Sequence, residues 1–147
     1  MDKTFQIGQK ALIINEEGKL LIIKRHKNNT VSLLWDLPGG RIDHGESLDK
    51  GLERELIEET KLELISIEKV INISTFTQKV NRSIQVIRII YLCRAKGNVE
   101  LSEEHSESKW INPGEYLNYE YPDRGYKEAF KSLSEGKLSV TNLLDEN

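Results

Sequence analysis

Gly39-Gly-Arg-Ile-Asp-His-Gly-Glu46 runs straight into Ser47-Leu-Asp-Lys-Gly-Leu-Glu-Arg-Glu-Leu-Ile-Glu-Glu-Thr-Lys-Leu62, and the reading of the whole chain turns on this stretch. The first part is a glycine-rich loop; the second has helical spacing over Ser47 to Lys61, with Ser47 as the candidate cap. On an ideal wheel at ~100° per residue with Leu48 at zero, Leu52 and Leu56 fall near 40° and 80°, an apolar stripe. Glu59 falls near 20° on that wheel, inside the stripe, with Glu55 near 340° and Glu58 near 280° at its edge. A helix with only a core to cover would not set Glu59 between Leu48 and Leu52. Carboxylates at i, i+3 and i+4 also repel one another, and they crowd a helix C-terminus, where the macrodipole disfavours anions. Gly51, on the same side, weakens the helix by about 1 kcal/mol relative to Ala. Local violations gathered in one place are the expected mark of a functional site. A hard divalent cation resolves the conflict, because Mg2+ takes oxygen ligands and commonly bridges carboxylates to phosphates. Clustered carboxylates can hold more than one such ion, and Gly51 would leave room for a ligand.

A Glu-rich helix alone is usually a solvated surface, and Gly-Gly alone is usually a turn. Their conjunction is specific. Gly40, five residues, Glu46, seven residues, then Arg54-Glu55-Leu56-Ile57-Glu58-Glu59-Thr60-Lys61-Leu62 resembles the Nudix box, matching eight of its nine fixed positions. Trp35-Asp-Leu-Pro-Gly39 resembles the usual lead-in. The departure is Lys61, where the pattern has the glycine that serves a left-handed helix end. Lysine in that conformation would cost on the order of 1 kcal/mol, without removing a carboxylate.

The resemblance implies a Nudix-type α/β/α sandwich, an α/β (α+β) fold with a mixed sheet between helices, formed as a single domain over residues 1–147 with its box at 40–62. It implies a MutT-like, metal-dependent pyrophosphohydrolase in which water attacks a phosphorus of a nucleoside diphosphate derivative. The substrate would be a (deoxy)nucleoside triphosphate or an ADP-ribose-like nucleotide sugar, and the cofactor Mg2+, with Mn2+ able to substitute. Carried onto this chain, Glu58 and Glu59 match the principal metal ligands, Glu55 a metal ligand or general base, and the Gly39 carbonyl a further ligand. Gly40 lies at the substrate side of the loop. Arg54 and Glu46 match a supporting ion pair that orients Glu55, with direct phosphate binding by Arg54 as the alternative. A later carboxylate is expected from Glu103-Glu104-His105-Ser106-Glu107, ahead of Trp110; Glu104 is the choice, Glu103 and Glu107 the rivals. Arg25 resembles the family's phosphate-contacting arginine, with Lys24 as rival. His44 and His105 are secondary candidates for proton transfer. The rival function is a non-catalytic nucleotide-binding module on the same fold, which the retained box carboxylates argue against.

Outward from the box, Lys10–Asn15 and Leu20–Lys24 flank Asn15-Glu-Glu-Gly18 and predict a hairpin. Residues 26–30 read as a loop, and Leu33–Leu37 as a short strand closed by Pro38-Gly39-Gly40. Leu62–Phe76 predicts one or two strands, and Ile84–Ala95 a strand covered on both faces. Gly97–Ser106 reads as an acidic loop, Lys109–Ile111 as a short strand, Asp123–Leu133 as a second helix, and the acidic C-terminus as frayed.

Composition sets the outer limits. A chain of 147 residues with 21 basic and 24 acidic side chains, net −3, has no basic stripe to track a nucleic acid. The single cysteine, Cys93, excludes an internal disulfide and a cysteine-rich zinc site. Met1 to Gln6 lacks the apolar core of a signal peptide and no apolar run approaches the length of a membrane span, so the expectation is a cytoplasmic protein without a membrane partner. The sequence leaves open whether it acts alone or as a homodimer.

Overall fold

The computed structural model describes residues 2–27 and 30–146, with side chains left undescribed over 26–32. Its strands are β1 Thr4–Ile13, β2 Leu20–Lys27, β3 Thr30–Asp36, β4 Gly39–Arg41, β5 Glu63–Thr77, β6 Ile84–Lys96, β7 His105–Ile111 and β8 Ser139–Asn142. The helices are α1 Leu48–Thr60 and α2 Arg124–Glu135, with a 3-10 turn over Pro113–Asn118. One sheet has the order β4-β1-β6-β5-β8 and a second the order β3-β2-β7. β1 with β6 and β5 with β8 are parallel pairs; the remaining pairs are antiparallel.

Strand alternation divides the interior into two cores. Leu12, Leu20, Ile22 and Ile90 pack with Trp35, Tyr126, Ala129 and Phe130 under α2. Their neighbours Ala11, Ile13, Leu21, Ile23, Tyr91 and Cys93 pack with Leu52 and Leu56 under α1. The continuous apolar runs of β1, β2 and β6 thus mark strands buried on both faces. The result is the mixed sheet structure between helices that the sequence predicts.

The predicted hairpin does not form. β1 and β2 share one bridge, Ile14 to Leu20, and then part into different sheets. The turn itself is local: Asn15 Oδ1 accepts from the Glu17 and Lys19 amides, and Gly18 takes φ 78°. Both edges of β1 are already occupied, by β4 and β6, so β2 has no edge to pair with beyond the turn. The predicted 26–30 loop shrinks because β2 extends to Lys27 and β3 begins at Thr30; Asn28 and Asn29 lie outside the described residues.

The region predicted as one or two strands over Leu62–Phe76 forms a single long strand, β5, with three register shifts against β6. β8, beyond the predicted second helix and not expected from the sequence, is held by buried polar groups. Asn72 Nδ2 donates to Ser139 Oγ at 2.9 Å and to Thr141 Oγ1 at 3.0 Å, and Thr141 Oγ1 donates to Glu128 Oε1 at 2.9 Å. A further buried group, Arg88, forks onto Asp123 at 2.8 and 2.9 Å and lies over the Tyr126 ring. A Cβ at Gly125 would meet both Arg88 and Ser74, so α2 sits this close only because that residue is glycine. Among the described residues no helix is long and apolar enough to cross a membrane.

Candidate active site

The box folds as loop, helix and loop; Gly45 turns the loop at φ 87° facing open space, whereas Gly39, Gly40 and Gly51 each permit a close contact. Gly39 has φ 141°, and a Cβ there would collide with the Gln9 backbone of β1. Its amide donates to Glu59 Oε1 at 2.7 Å. Gly40 leaves the space that the Glu55 carboxylate fills, since a Cβ would stand 2.7 Å from Glu55 Cδ. Gly51 makes room for Glu46 and Ile42 rather than for a ligand, with both 3.0 Å from its Cβ position.

α1 begins after Ser47, which occupies the cap position without a side-chain capping bond. Leu52 and Leu56 are fully buried and Glu59 nearly so, while Leu48 is 45% exposed, so the buried stripe is centred on Leu52, Leu56 and Glu59. Lys61 ends the helix at φ 63°, the only non-glycine with positive φ among the described residues. The left-handed end is therefore kept without its glycine.

Arg54 is the hub of the carboxylate face. Its Nε donates to Glu46 Oε2 at 2.7 Å and one terminal nitrogen to Glu46 Oε1 at 3.0 Å. The other terminal nitrogen donates to Glu55 Oε1 at 3.0 Å and lies 3.6 Å from Glu58 Oε2. The guanidinium hydrogen bonds, with the Asp43 amide, hold the Glu46 carboxyl down to about 2. With five donors spread over Glu46, Glu55, Glu58 and the Arg41 carbonyl, Arg54 is committed to positioning carboxylates.

Glu59 differs from its neighbours. Burial pushes its carboxyl up to about 7, against the opposing pull of Lys10 and the Gly39 amide, with Glu55 and Asp36 adding to the rise. The acidic loop reaches Glu59 through the helix end: the Glu100 amide donates to Thr60 O at 2.9 Å and the Ser102 amide to Glu59 O at 3.1 Å. These bonds satisfy carbonyls that a helix C-terminus leaves orphaned. They also bring in Glu104 and His105. Ligand atoms of Glu59, Glu104 and His105 lie within 4.8 Å of one another. Glu103 and Glu104 are exposed, and Glu107 sits beside Lys109 at 4.0 Å.

The two candidate cations of β2 stand on either side of a register shift in its pairing with β7. Lys24 lies over the Trp35 ring, 5.5 Å from its centroid, on the α2 side. Arg25 is exposed, pairs in register with His105, and its charge acts on Asp36 and His105. His44 is exposed in the box loop. Trp35 belongs to the α2 core and Trp110 borders the α1 core. Tyr121 and Tyr126 are core residues, stacked on each other.

Two charged groups near the loop, Lys10 and Asp36, are not singled out by the sequence reading. Lys10 Nζ sits 3.4 Å from both Asp36 Oδ1 and the Gly39 carbonyl. Burial pushes the Asp36 carboxyl up, but Lys10, the Tyr126 hydroxyl, the Leu37 amide and Arg25 together hold it below the usual carboxylate range. The available signal was a lone charge in each of two apolar runs, Lys10 before Ala11-Leu12-Ile13 and Asp36 inside Leu33–Leu37.

The donor set fits a divalent cation, which takes oxygen ligands: Glu55 and Glu58 meet at one Arg54 nitrogen, and Glu59 lies beside the Gly39 backbone. Comparison with known proteins agrees with this chemistry. The NUDIX domain family model matches residues 4–133. A MutT-like protein of Streptomyces ambofaciens is 29% identical over 106 residues, 71% of this chain and 62% of that protein, so the chain spans less than two thirds of that relative. An 8-oxo-dGTP diphosphatase of Buchnera aphidicola subsp. Schizaphis graminum is 31% identical over 113 residues, 76% of this chain and 82% of that protein. The crystal structure of a MutT protein from Methanosarcina mazei Go1 superposes with a TM-score of 0.76 at 29% identity, covering 92% of this chain and 97% of that one.

Proposed function

The chain belongs to the NUDIX domain family, and from that premise we propose that it hydrolyses the diphosphate linkage of a nucleoside diphosphate derivative with the help of Mg2+ or Mn2+. The substrate is a (deoxy)nucleoside triphosphate, with an ADP-ribose-like nucleotide sugar as the second class. The whole chain, residues 1–147, acts as one domain in the cytoplasm on a small-molecule nucleotide, without a nucleic-acid or membrane partner.

The observation that carries this reading is the Arg54 fork. One guanidinium hydrogen-bonds Glu46 of the loop and Glu55 of α1 and lies 3.6 Å from Glu58, beside buried Glu59. A purely structural helix has no use for that many carboxylates beside one another. Glu55, Glu58, Glu59, the Gly39 carbonyl and Glu104 hold the cation. When bound, such a cation neutralises diphosphate charge and supplies Lewis acidity at a phosphoryl oxygen. Glu55, seated against Gly40, takes the proton of the attacking water. Arg25 meets the diphosphate with its fork of donors. Covalent catalysis by Cys93 finds no support: burial, with Glu68 adding to it, pushes the thiol up to about 12, and the thiolate is the nucleophile.

The test is hydrolysis of a panel of nucleoside triphosphates, nucleotide sugars and dinucleoside polyphosphates with Mg2+ in 18O-labelled water, read by product identification. The expected result is label on one product phosphate, already within a single turnover. A trapped phosphorylated or nucleotidylated protein overturns the mechanism. Absence of turnover across the panel overturns the enzyme reading in favour of nucleotide binding alone.

A further inference from the structure

The five-stranded sheet is covered over only half of one face. Register sets Ile7 beside Ile87, Ile89 beside Ile73, and Ile73 beside Val140, so these side chains stand on one side of the sheet. It is the α1 side. Ile89 borders the core beneath α1, whereas Ser139, one residue before Val140, turns the other way to meet Ser132 of α2. α1 covers the half that holds Ala11, Ile13, Tyr91 and Cys93. Its start is pinned over β1 by Gln9, whose Nε2 donates to Leu48 O at 3.0 Å and whose Oε1 accepts from the Tyr91 hydroxyl at 2.6 Å. Below Gln9 and out to β8 the face is open: Phe5 is 70% exposed, Val140 73% and Ile7 36%. Between these apolar positions stand Thr75, Thr77, Gln85 and Asn142, and the strands place no charged side chain on this half among the described residues. Charged residues make up 31% of the chain. A solvated face of about ten positions would therefore hold about three of them.

We propose that this open half-face seats a second copy of the chain, in a two-fold dimer that packs sheet on sheet. Two arguments select a second copy over another partner. The first is charge. A two-fold interface sets one patch against itself, so a charge on it would be brought towards its own sign. A patch without charge suffers no such repulsion, and its Ile and Val side chains can interdigitate with a like surface about 10 Å away. The second is area. With Leu48 at its rim, 45% exposed, the face offers roughly 600–700 Å2, so two copies together bury roughly 1,200–1,400 Å2, within the lower part of the range of stable interfaces. The position of α1 fixes the sense of the pairing. The helix stands on the same face, so two copies fit only with their α1 helices at opposite ends of the paired sheets. The proposal concerns a surface apart from the carboxylate face and does not rest on the hydrolase reading.

The experiment is sedimentation velocity on the full chain from roughly 1 to 200 μM. The wild type should pass from monomer to dimer across that range. Its Kd should change less than about threefold between low salt and about 0.5 M, because no ion pair is screened. Phe5→Lys and Val140→Lys each place a charge on the face at an exposed position. Each should weaken association roughly tenfold or more while leaving Tm unchanged. Leu117→Lys, at a comparably exposed apolar side chain on the 3-10 turn, should leave the dimer intact. Should Phe5→Lys not fold, Val140→Lys, on the opposite side of the sheet, decides. A wild type that stays monomeric throughout overturns the proposal. So does a dimer that withstands the lysine variants of the face, one that Leu117→Lys disrupts equally, or one that salt dissolves.

Discussion

Replacing Glu59 by Gln in the metal-free protein should raise stability at alkaline pH and have little such effect in acid. Glu59 is 8% exposed, and its carboxyl rises from 4.5 to about 7 on folding. The folded state thus binds this proton more tightly than the unfolded chain does. The group's contribution is most favourable below about 4.5, weakens as pH rises, and levels off above about 7. Over the whole window the loss is on the order of 3 kcal/mol, and between about pH 5.5 and about pH 8.5 it is about 2 kcal/mol. Glutamine keeps an acceptor for the Gly39 amide and cannot ionise. Urea unfolding of both proteins in chelator at the two pH values should therefore show their stability difference moving by about 2 kcal/mol in the variant's favour. Saturating Mn2+ at the higher pH should restore the wild type and leave the variant largely unaffected. Two pH profiles that run parallel within about 0.5 kcal/mol would refute the claim that an ionised Glu59 is costly in this environment.

Lys61→Gly should add about 1 kcal/mol of stability by relieving a left-handed lysine, visible as a rise of several degrees in Tm; a lower Tm would mean that the lysine side chain contributes something the backbone argument misses. Gly40→Ala should fold normally, yet lose activity by roughly an order of magnitude or more, because its methyl occupies the space of the Glu55 carboxylate and each 1.4 kcal/mol at the transition state is tenfold. Unchanged kcat/KM would show that Glu55 can be displaced at no cost. Arg54→Lys should lower kcat roughly 10- to 100-fold with little change in Tm, since an ammonium cannot fork between Glu46 and Glu55. Comparable kinetics in that variant would remove Arg54 from the positioning role.

The site was legible where a local pattern conflicts with its own helix. Glu59 in an apolar stripe needs no tertiary information to be noticed, and neither does the spacing of Gly40, Glu46 and Arg54. Lys10 and Asp36 were not seen because their relation is set by neither sequence distance nor period. They meet only after β1 and β3 enter different sheets. The same limit explains the hairpin expectation: Asn15-Glu-Glu-Gly18 does form its turn, but the pairing of β1 is determined by β6, more than seventy residues further along. β8 escaped notice because Ser139-Val-Thr-Asn142 is short and its anchor is Asn72, whose polarity reads as exposure until its partners are known. Gly51 looked like room for a ligand because a glycine records a vacancy on a helix and not its occupant.

The parallel pairing of Thr4–Ile13 with Ile84–Cys93 also sets a schedule for the chain during its own synthesis. β1 is made well before β6 and, apart from the three-residue β4, has no partner until β6 has been made. At about 5–20 residues per second that interval is several seconds. Throughout it, Ala11, Leu12 and Ile13 remain in water or against whatever apolar surface is at hand. Such non-local pairing also slows folding, because loop closure must precede its reward. Newly made chains should therefore depend on chaperone binding to the stretch between β1 and β6, and truncation before β6 should leave a product that aggregates rather than a smaller folded unit.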